Sequence, residues 1–301
     1  MRTAFIQQLQ IEARRNPRIF LVVGDLGYSV VEAFAEEFPD RYLNAGVAEQ
    51  NMTGLAAGLA SEGYHVFTYS IGNFPTLRCL EQIRNDVCYH NLPVTIVAVG
   101  AGVAYGNLGY SHHCVQDIGC LRGMPNLTLL SPADPGETRQ CVQYLSAHPG
   151  PSYLRLGKAG EPTVHELELN FEGPCRLTNG KATTAFVGTG SVLAEAMIAA
   201  ANLINRGHAV DVFSMTRLTS PDLDNLRDYQ RILTVEEHVA AGGLGELLCS
   251  GLPRNVKVRS ISIPARLTGA VGSQSYLRAS AGLDAAGIQH CFETWLAEVH
   301  A

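Results

Sequence analysis

The 301-residue chain lacks the signals of several large protein classes. No apolar run reaches the ~18 residues of a membrane span, and the N-terminal MRTAFIQQLQIEARR has no apolar signal core. The eight cysteines form no Cys-x-x-Cys pair and no zinc-type Cys/His spacing, so we expect free thiols in the cytoplasm. Lys and Arg number 22 against 28 Asp and Glu, and no basic run follows a phosphate backbone. The sequence therefore predicts neither a membrane nor a nucleic-acid partner.

Short strand-like runs alternate with helical segments along the whole chain, which is typical of parallel sheets with helices on both faces. Strands are predicted at 19–23, 66–69, 94–99, 127–130, 153–156, 182–187, 210–213 and 232–235, and helices at 191–205 and 244–252. A polar stretch punctuated by Gly and Pro separates two such units. We predict two doubly wound α/β domains, over 1–160 and 177–301, joined by a linker at 161–176, with a parallel sheet in each.

The segment from Asn44 to Ala60, NAGVAEQNMTGLAAGLA, carries the strongest local pattern. Its second part predicts a helix so rich in Gly and Ala that another segment must pack very closely against it. Glu49 lies at the beginning of this helix. A carboxylate there has a general explanation, because it interacts favourably with the helix dipole.

Gly-x-x-Glu-Gln-Asn-Met followed by a small-residue helix also resembles the pyrimidine-binding motif of the transketolase family. Further family features occur in the same order: GDL at 24–26, Phe74 within 69–85, GYSHH at 109–113, SPAD at 131–134, VEEH at 235–238 and GGLG at 242–245. The resemblance covers nearly the whole chain. It implies a pyrimidine-binding domain for thiamine diphosphate, followed by a smaller transketolase C-terminal-like domain.

The resemblance assigns cofactor-binding roles to four residues. Glu49 corresponds to the catalytic glutamate that hydrogen-bonds the aminopyrimidine ring, and Phe74 to the aromatic residue on which that ring stacks. Asp25 and Leu26, after the first strand, correspond to cofactor-proximal positions. From the residues alone, Phe74 is also compatible with a core position and Asp25 with a turn before Gly27.

Two residues are expected to contact the substrate. His112 corresponds to the family histidine that faces the substrate, and an imidazole suits proton transfer on carbonyl compounds because its pKa lies near neutrality. His113 is expected to be structural. Lys158 falls near a family position that binds the substrate's phosphate, although a solvated lysine is equally compatible with the sequence.

The family's diphosphate-binding motif, Gly-Asp-Gly with a downstream Asn, has no counterpart in this chain. We therefore predict no metal site here and expect the Mg²⁺ ligands to come from a separate large subunit, in an α2β2 heterotetramer.

The predicted reaction is the transfer of a C2 ketol unit from a ketose or ketose phosphate to an acceptor. Gly100 and Leu108 stand where the family's ketose-binding pattern has a His and an Asp, and Ile71 replaces an aromatic residue, which predicts a specialised small-molecule substrate. Two alternatives remain open from the sequence: a β subunit of a 2-oxo-acid dehydrogenase first component, and a non-catalytic regulatory subunit.

Overall fold

The computed structural model describes residues 1–178, 182–267 and 269–300, and it contains two β-sheets. The first has six parallel strands in the order β2-β1-β3-β4-β6-β5, and the second has five in the order β11-β10-β8-β9-β7. The strands are β1 Ile19–Val23, β2 Tyr42–Asn44, β3 His65–Ile71, β4 Val94–Val99, β5 Thr128–Leu130, β6 Ser152–Leu156, β7 Cys175–Arg176, β8 Thr184–Thr189, β9 Asp211–Ser214, β10 Arg231–Glu236 and β11 Lys257–Ile261.

Helices connect these strands and cover both faces of the first sheet. They are α1 Arg2–Arg15, α2 Glu32–Glu37, α3 Glu49–Ser61, α4 Leu80–Gln82, α5 Asp117–Leu121, α6 Pro135–Ala147, α7 Leu193–Asn205, α8 Leu244–Gly251, α9 Gln274–Ala281 and α10 Ala285–His300. Helix α4 continues as a π-helix over Ile83–Cys88. The predicted α/β fold class is thereby confirmed.

Strand β1 illustrates why the central strands are apolar on both sides. Successive side chains of a strand point to opposite faces. Leu21 and Val23 join the core with α1 and α6, whereas Val22 joins the core with α3. Because helices cover both faces, an unbroken apolar run replaces the alternation of a half-exposed strand.

The second sheet differs from its prediction at one edge. Strand β7 pairs antiparallel with β9, so the expectation of a wholly parallel second sheet is wrong. The two residues of β7 lie within the stretch predicted as the linker, and a strand this short leaves no hydrophobic period to detect. Strands β2 and β11 at the opposite edges of their sheets were also not predicted, since their side chains are mostly exposed or half-buried.

Candidate functional site

Glu49 lies in the first turn of α3, at the carboxyl edge of the first sheet, and only 2% of it is exposed. Its Oε1 accepts a hydrogen bond from Ser70 Oγ at 3.3 Å, and its Oε2 accepts one from Arg78 Nη1 at 3.1 Å. A Cβ on Gly24 would lie 3.3 Å from Ser70 Oγ, so the end of β1 also packs against this group. Burying a carboxylate is costly without partners, and here a hydroxyl and a guanidinium supply them.

Phe74 lies in the loop after β3, beside two of the polar residues of the site. Its ring centroid is 5.4 Å from that of His112, with the rings nearly perpendicular at 85°. The guanidinium carbon of Arg78 lies 5.1 Å from the same ring centroid. Arg78 therefore links the Glu49 carboxylate to the face of an aromatic ring, within the range of a cation–π contact.

The loops that carry Phe74 and His112 are fastened to each other. Asn73 Nδ2 donates a hydrogen bond to the carbonyl oxygen of His113 at 2.5 Å. A Cβ on Gly72 would lie 2.9 Å from Cys114 Cβ, so the two backbones approach too closely for a larger residue. His113 is buried, as expected for a structural residue, whereas His112 is half-buried with Nδ1 3.0 Å from Ser111 Oγ.

Asp25 and Leu26 lie in the neighbouring loop after β1. Asp25 has φ +55°, in the left-handed region that Asp tolerates better than most residues. Its backbone N donates to Asn44 Oδ1 at 3.1 Å, while Asn44 Nδ2 donates to Asp25 Oδ1 at 2.9 Å. Asn44 Oδ1 also accepts from Gly46 N at 2.9 Å, so this side chain ties the Asp25 loop to the segment that leads into α3. Leu26 is half-buried against the core.

Lys158 follows β6, on the same edge of the sheet but separated from β3 by β4. Its side chain is exposed, with Nζ 5.4 Å from the centroid of the Tyr105 ring. Arg2 Nε donates to the carbonyl oxygen of Lys158 at 3.1 Å. Two cationic side chains thus lie next to each other, and Arg2 was not singled out from the sequence.

The structure gives a physical reason for the glycine at position 100. Gly100 has φ +94°, and a Cβ there would lie 2.3 Å from Tyr105 Cδ2. The aromatic ring therefore fills the space that a side chain at this position would need. Leu108, the second residue that departs from the family pattern, is 52% exposed.

A buried ion pair supports the loop that carries His112. Arg155 donates from Nε to Asp117 Oδ2 at 2.7 Å, and from Nη2 to the carbonyl oxygens of Cys114 at 2.7 Å and Glu237 at 3.0 Å. Burial alone would raise the pKa of Asp117, but the Arg155 charge overcomes it, so that the pKa lies below its ordinary value. Arg155 thereby connects the first sheet, the His112 loop and the second sheet.

The structure thus brings Glu49, Phe74 and His112 into one group and places Asp25 and Leu26 on an adjoining loop, with Lys158 further along the same edge. The most informative residue that the sequence did not reveal is Arg78. Its pairing with Glu49 spans 29 residues, and no local pattern signals such a contact. A cleft of about 370 Å³ adjoins the pair, lined by Val47, Ala48, Glu49, Gln50, Asn51 and Arg78.

Within the described residues, no group of three or more His, Cys, Asp or Glu side chains is arranged to hold a metal ion. No helix in the described ranges is both long and apolar enough to cross a membrane.

Two protein-family models match this chain. The pyrimidine-binding domain of transketolase matches residues 1–161, and the transketolase C-terminal domain matches residues 173–288.

Similar proteins carry related names. One of the two chains of an apulose-4-phosphate transketolase from Phocaeicola vulgatus is 36% identical over 300 residues, covering 95% of this chain and 94% of that protein. A 6-deoxy-6-sulfo-D-fructose transketolase subunit of Clostridium sp. (strain MSTE9) is 31% identical, covering 95% of this chain and 91% of that protein. The structure of a split-gene transketolase, described as an inactive beta4 tetramer, superposes with a TM-score of 0.84 at 31% identity, covering 97% and 96% of the two chains.

These matches confirm the resemblance seen in the sequence motifs, and they extend over both sheets and nearly the full length of the chain. The chain belongs to the transketolase family and consists of its pyrimidine-binding domain followed by its C-terminal domain.

Proposed function

We propose that this chain is the small subunit of a split, thiamine-diphosphate-dependent transketolase that transfers a C2 ketol unit from a ketose or ketose phosphate. The observation that carries the proposal is the juxtaposition of a buried glutamate with an exposed cleft and an aromatic ring. Glu49, Phe74 and the bridging Arg78 form this arrangement at the carboxyl edge of a parallel sheet, where α/β proteins commonly bind ligands.

The chemistry of these groups fits the pyrimidine ring of the cofactor. The Arg78 guanidinium is planar and donates hydrogen bonds, and it contacts both the Glu49 carboxylate and the Phe74 ring. A flat group with N–H donors can therefore satisfy the same two partners. In this proposal Glu49 holds the ring by a hydrogen bond, Phe74 stacks with it, and Asp25 and Leu26 border it.

When bound, thiamine diphosphate supplies the electron sink that allows the C2–C3 bond of a ketose to break. His112 is positioned against Phe74 and is proposed to move protons at the substrate's oxygen atoms. Lys158 and the adjacent Arg2 are proposed to bind an acidic group on the substrate, since paired cations favour phosphate or sulfonate oxygens.

The Tyr105 ring against Gly100 supports a specialised substrate. It replaces a potential hydrogen-bonding side chain by an aromatic wall, and such a change alters which hydroxylated substrates are accepted. The two named relatives, a transketolase for apulose 4-phosphate and one for 6-deoxy-6-sulfofructose, are consistent with donors outside the common pentose phosphates. The same relatives favour a transketolase over a 2-oxo-acid dehydrogenase subunit or a regulatory subunit.

The proposed partner is a large subunit that binds the diphosphate and Mg²⁺, in an α2β2 heterotetramer located in the cytoplasm. The similar split-gene protein is described as inactive in its beta4 form, which supports the need for a partner. The proposal predicts that a co-purified complex binds thiamine diphosphate in a Mg²⁺-dependent manner, and that the isolated chain binds it at least about tenfold more weakly. Calorimetric titration of both samples tests this, and equally tight binding to the isolated chain would refute the split site.

Two glycines of α3 support the partner's place of contact. Gly54 and Gly58 are one helical turn apart and exposed, and no heavy atom of the described chain beyond their own surroundings lies within 4 Å of a Cβ built on either. Another helix could therefore approach closely here. This would satisfy the sequence expectation of a close-packed helix, which the chain's own contacts at these two positions do not.

We expect Gly54→Leu and Gly58→Leu to abolish co-purification of the large subunit, while the isolated chain keeps or raises its melting temperature. Leucine is a better helix former than glycine by about 0.7 kcal/mol, and it meets open space within the chain. Affinity pull-down and thermal melts measure the two effects. Gly123→Leu, at another exposed glycine with open space, is the control. Normal assembly of both α3 variants would exclude this face as the contact.

A further inference from the structure

We infer that Arg78 is a positioning residue that occupies the pyrimidine-binding place in the unassembled chain and must withdraw from Glu49 when the cofactor binds. The inference rests on the proposed function, since it assumes that Glu49 and Phe74 receive the pyrimidine. It adds a competition between a side chain of this protein and its cofactor.

The contacts of Arg78 are those expected of a substitute for the ring. Its Nη1 donates to Glu49 Oε2 at 3.1 Å, and its guanidinium carbon lies 5.1 Å from the Phe74 ring centroid. An aminopyrimidine is likewise flat and donates N–H groups. Two flat groups cannot occupy one position between the same carboxylate and the same aromatic face.

Arg78 is the member of the pair that can move. Glu49 is fixed by burial and by Ser70, whereas the Arg78 side chain is 49% exposed. The cleft of about 370 Å³ along Val47–Asn51 gives the arginine a place to turn toward. Withdrawal therefore requires a rotation of one long, half-exposed side chain rather than a rearrangement of the fold.

The pairing also has a function before assembly. A buried carboxylate without a partner is costly, so Arg78 stabilises the chain while Glu49 has no other cation or donor apart from Ser70. The same contact must be broken for the ring to bind, which weakens cofactor binding. Arg78 thus favours a stable subunit at the expense of affinity.

The test uses Arg78→Met, which keeps length but removes charge and donors, in the co-purified complex. We expect the Kd for thiamine diphosphate to fall by about fivefold, the effect of losing a competing, partly exposed ion pair. The kcat at saturating cofactor should change less than the Kd. Arg78→Lys should lie between the wild type and Arg78→Met, because a lysine pairs with Glu49 but offers no planar group. Arg227→Met, which removes an exposed ion pair with Asp224, is the control.

A second measurement uses the isolated chain and does not depend on activity. Glu49→Gln should lower the melting temperature of the wild-type chain or leave it unchanged, but raise that of the Arg78→Met chain, because there it removes an unpaired buried carboxylate. Weaker or unchanged cofactor binding by Arg78→Met, or the same sign of the Glu49→Gln effect in both backgrounds, would overturn the inference. A wild-type complex that binds no cofactor would instead refute the proposed function.

Discussion

In the assembled enzyme, Glu49→Gln is expected to lower kcat by about 10²- to 10⁴-fold at saturating thiamine diphosphate, the usual range for a lost acid–base group. Glutamine keeps the shape of the side chain, and its carbonyl oxygen can still accept the hydrogen bond from Ser70. Its amide cannot take or share a proton with the ring nitrogen of the cofactor. The loss should therefore appear in turnover rather than in folding, and steady-state kinetics with a melting curve of the same sample separates the two.

Glu62→Gln is the matched control, because Glu62 lies at the other end of α3 and is exposed. It should retain activity within about twofold, as surface substitutions away from special features usually do. Full activity of the Glu49→Gln complex would show that Glu49 is only a helix-end carboxylate, the general explanation open from the sequence. A donor screen is needed first, so that turnover is measured with a substrate that the wild-type complex accepts.

The largest effect on stability is expected for Arg155→Met, which should lower the free energy of unfolding by about 3–5 kcal/mol. The substitution leaves Asp117 buried without its cation and removes the donors to the carbonyl oxygens of Cys114 and Glu237. Tyr153 still donates to Asp117 Oδ2 at 2.8 Å, but a neutral hydroxyl compensates a buried charge only in part. Urea unfolding of the isolated chain measures the change.

The same pair predicts a pH dependence. Because the folded pKa of Asp117 is lowered, its stabilising contribution is present above the unfolded carboxyl pKa of about 3.9 and is lost as the pH falls through the folded value. In Arg155→Met this dependence should disappear. Arg206→Met, which removes an exposed pair with Glu293 at 2.9 Å, should cost less than about 1 kcal/mol. A similarly small cost for Arg155→Met would mean that the buried pair contributes little.

The sequence predicted the central strands well because each is an apolar run buried on both faces, as in β1 and β4. It could not predict β7, since two residues carry no period and their partner β9 is distant in the chain. The helix with Glu49 was recognisable from its small residues and motif. The family resemblance, rather than periodicity, suggested the roles of Phe74 and His112.

The arrangement around Glu49 illustrates what a sequence leaves undetermined. Arg78 lies in a loop that was singled out for Phe74, and its charge gave no indication of its partner. Pairing depends on how β3 and α3 pack, which is a property of the tertiary structure. Similarly, the glycine at position 100 suggested only a lost side chain, whereas the structure shows Tyr105 filling that space.

The two sheets share apolar surface, and this affects how the protein can evolve. One core cluster includes Leu127 and Leu129 of the first unit together with Phe213, Met215 and Leu218 of the second. Backbone hydrogen bonds from Ser131 to Thr216 at 2.8 Å and from Leu218 to Leu129 at 2.9 Å join the same regions. A change of volume on one side is therefore felt on the other. The two halves are constrained to evolve as one body, and exchanging either half with that of a distant relative would require co-adapted replacements along this seam.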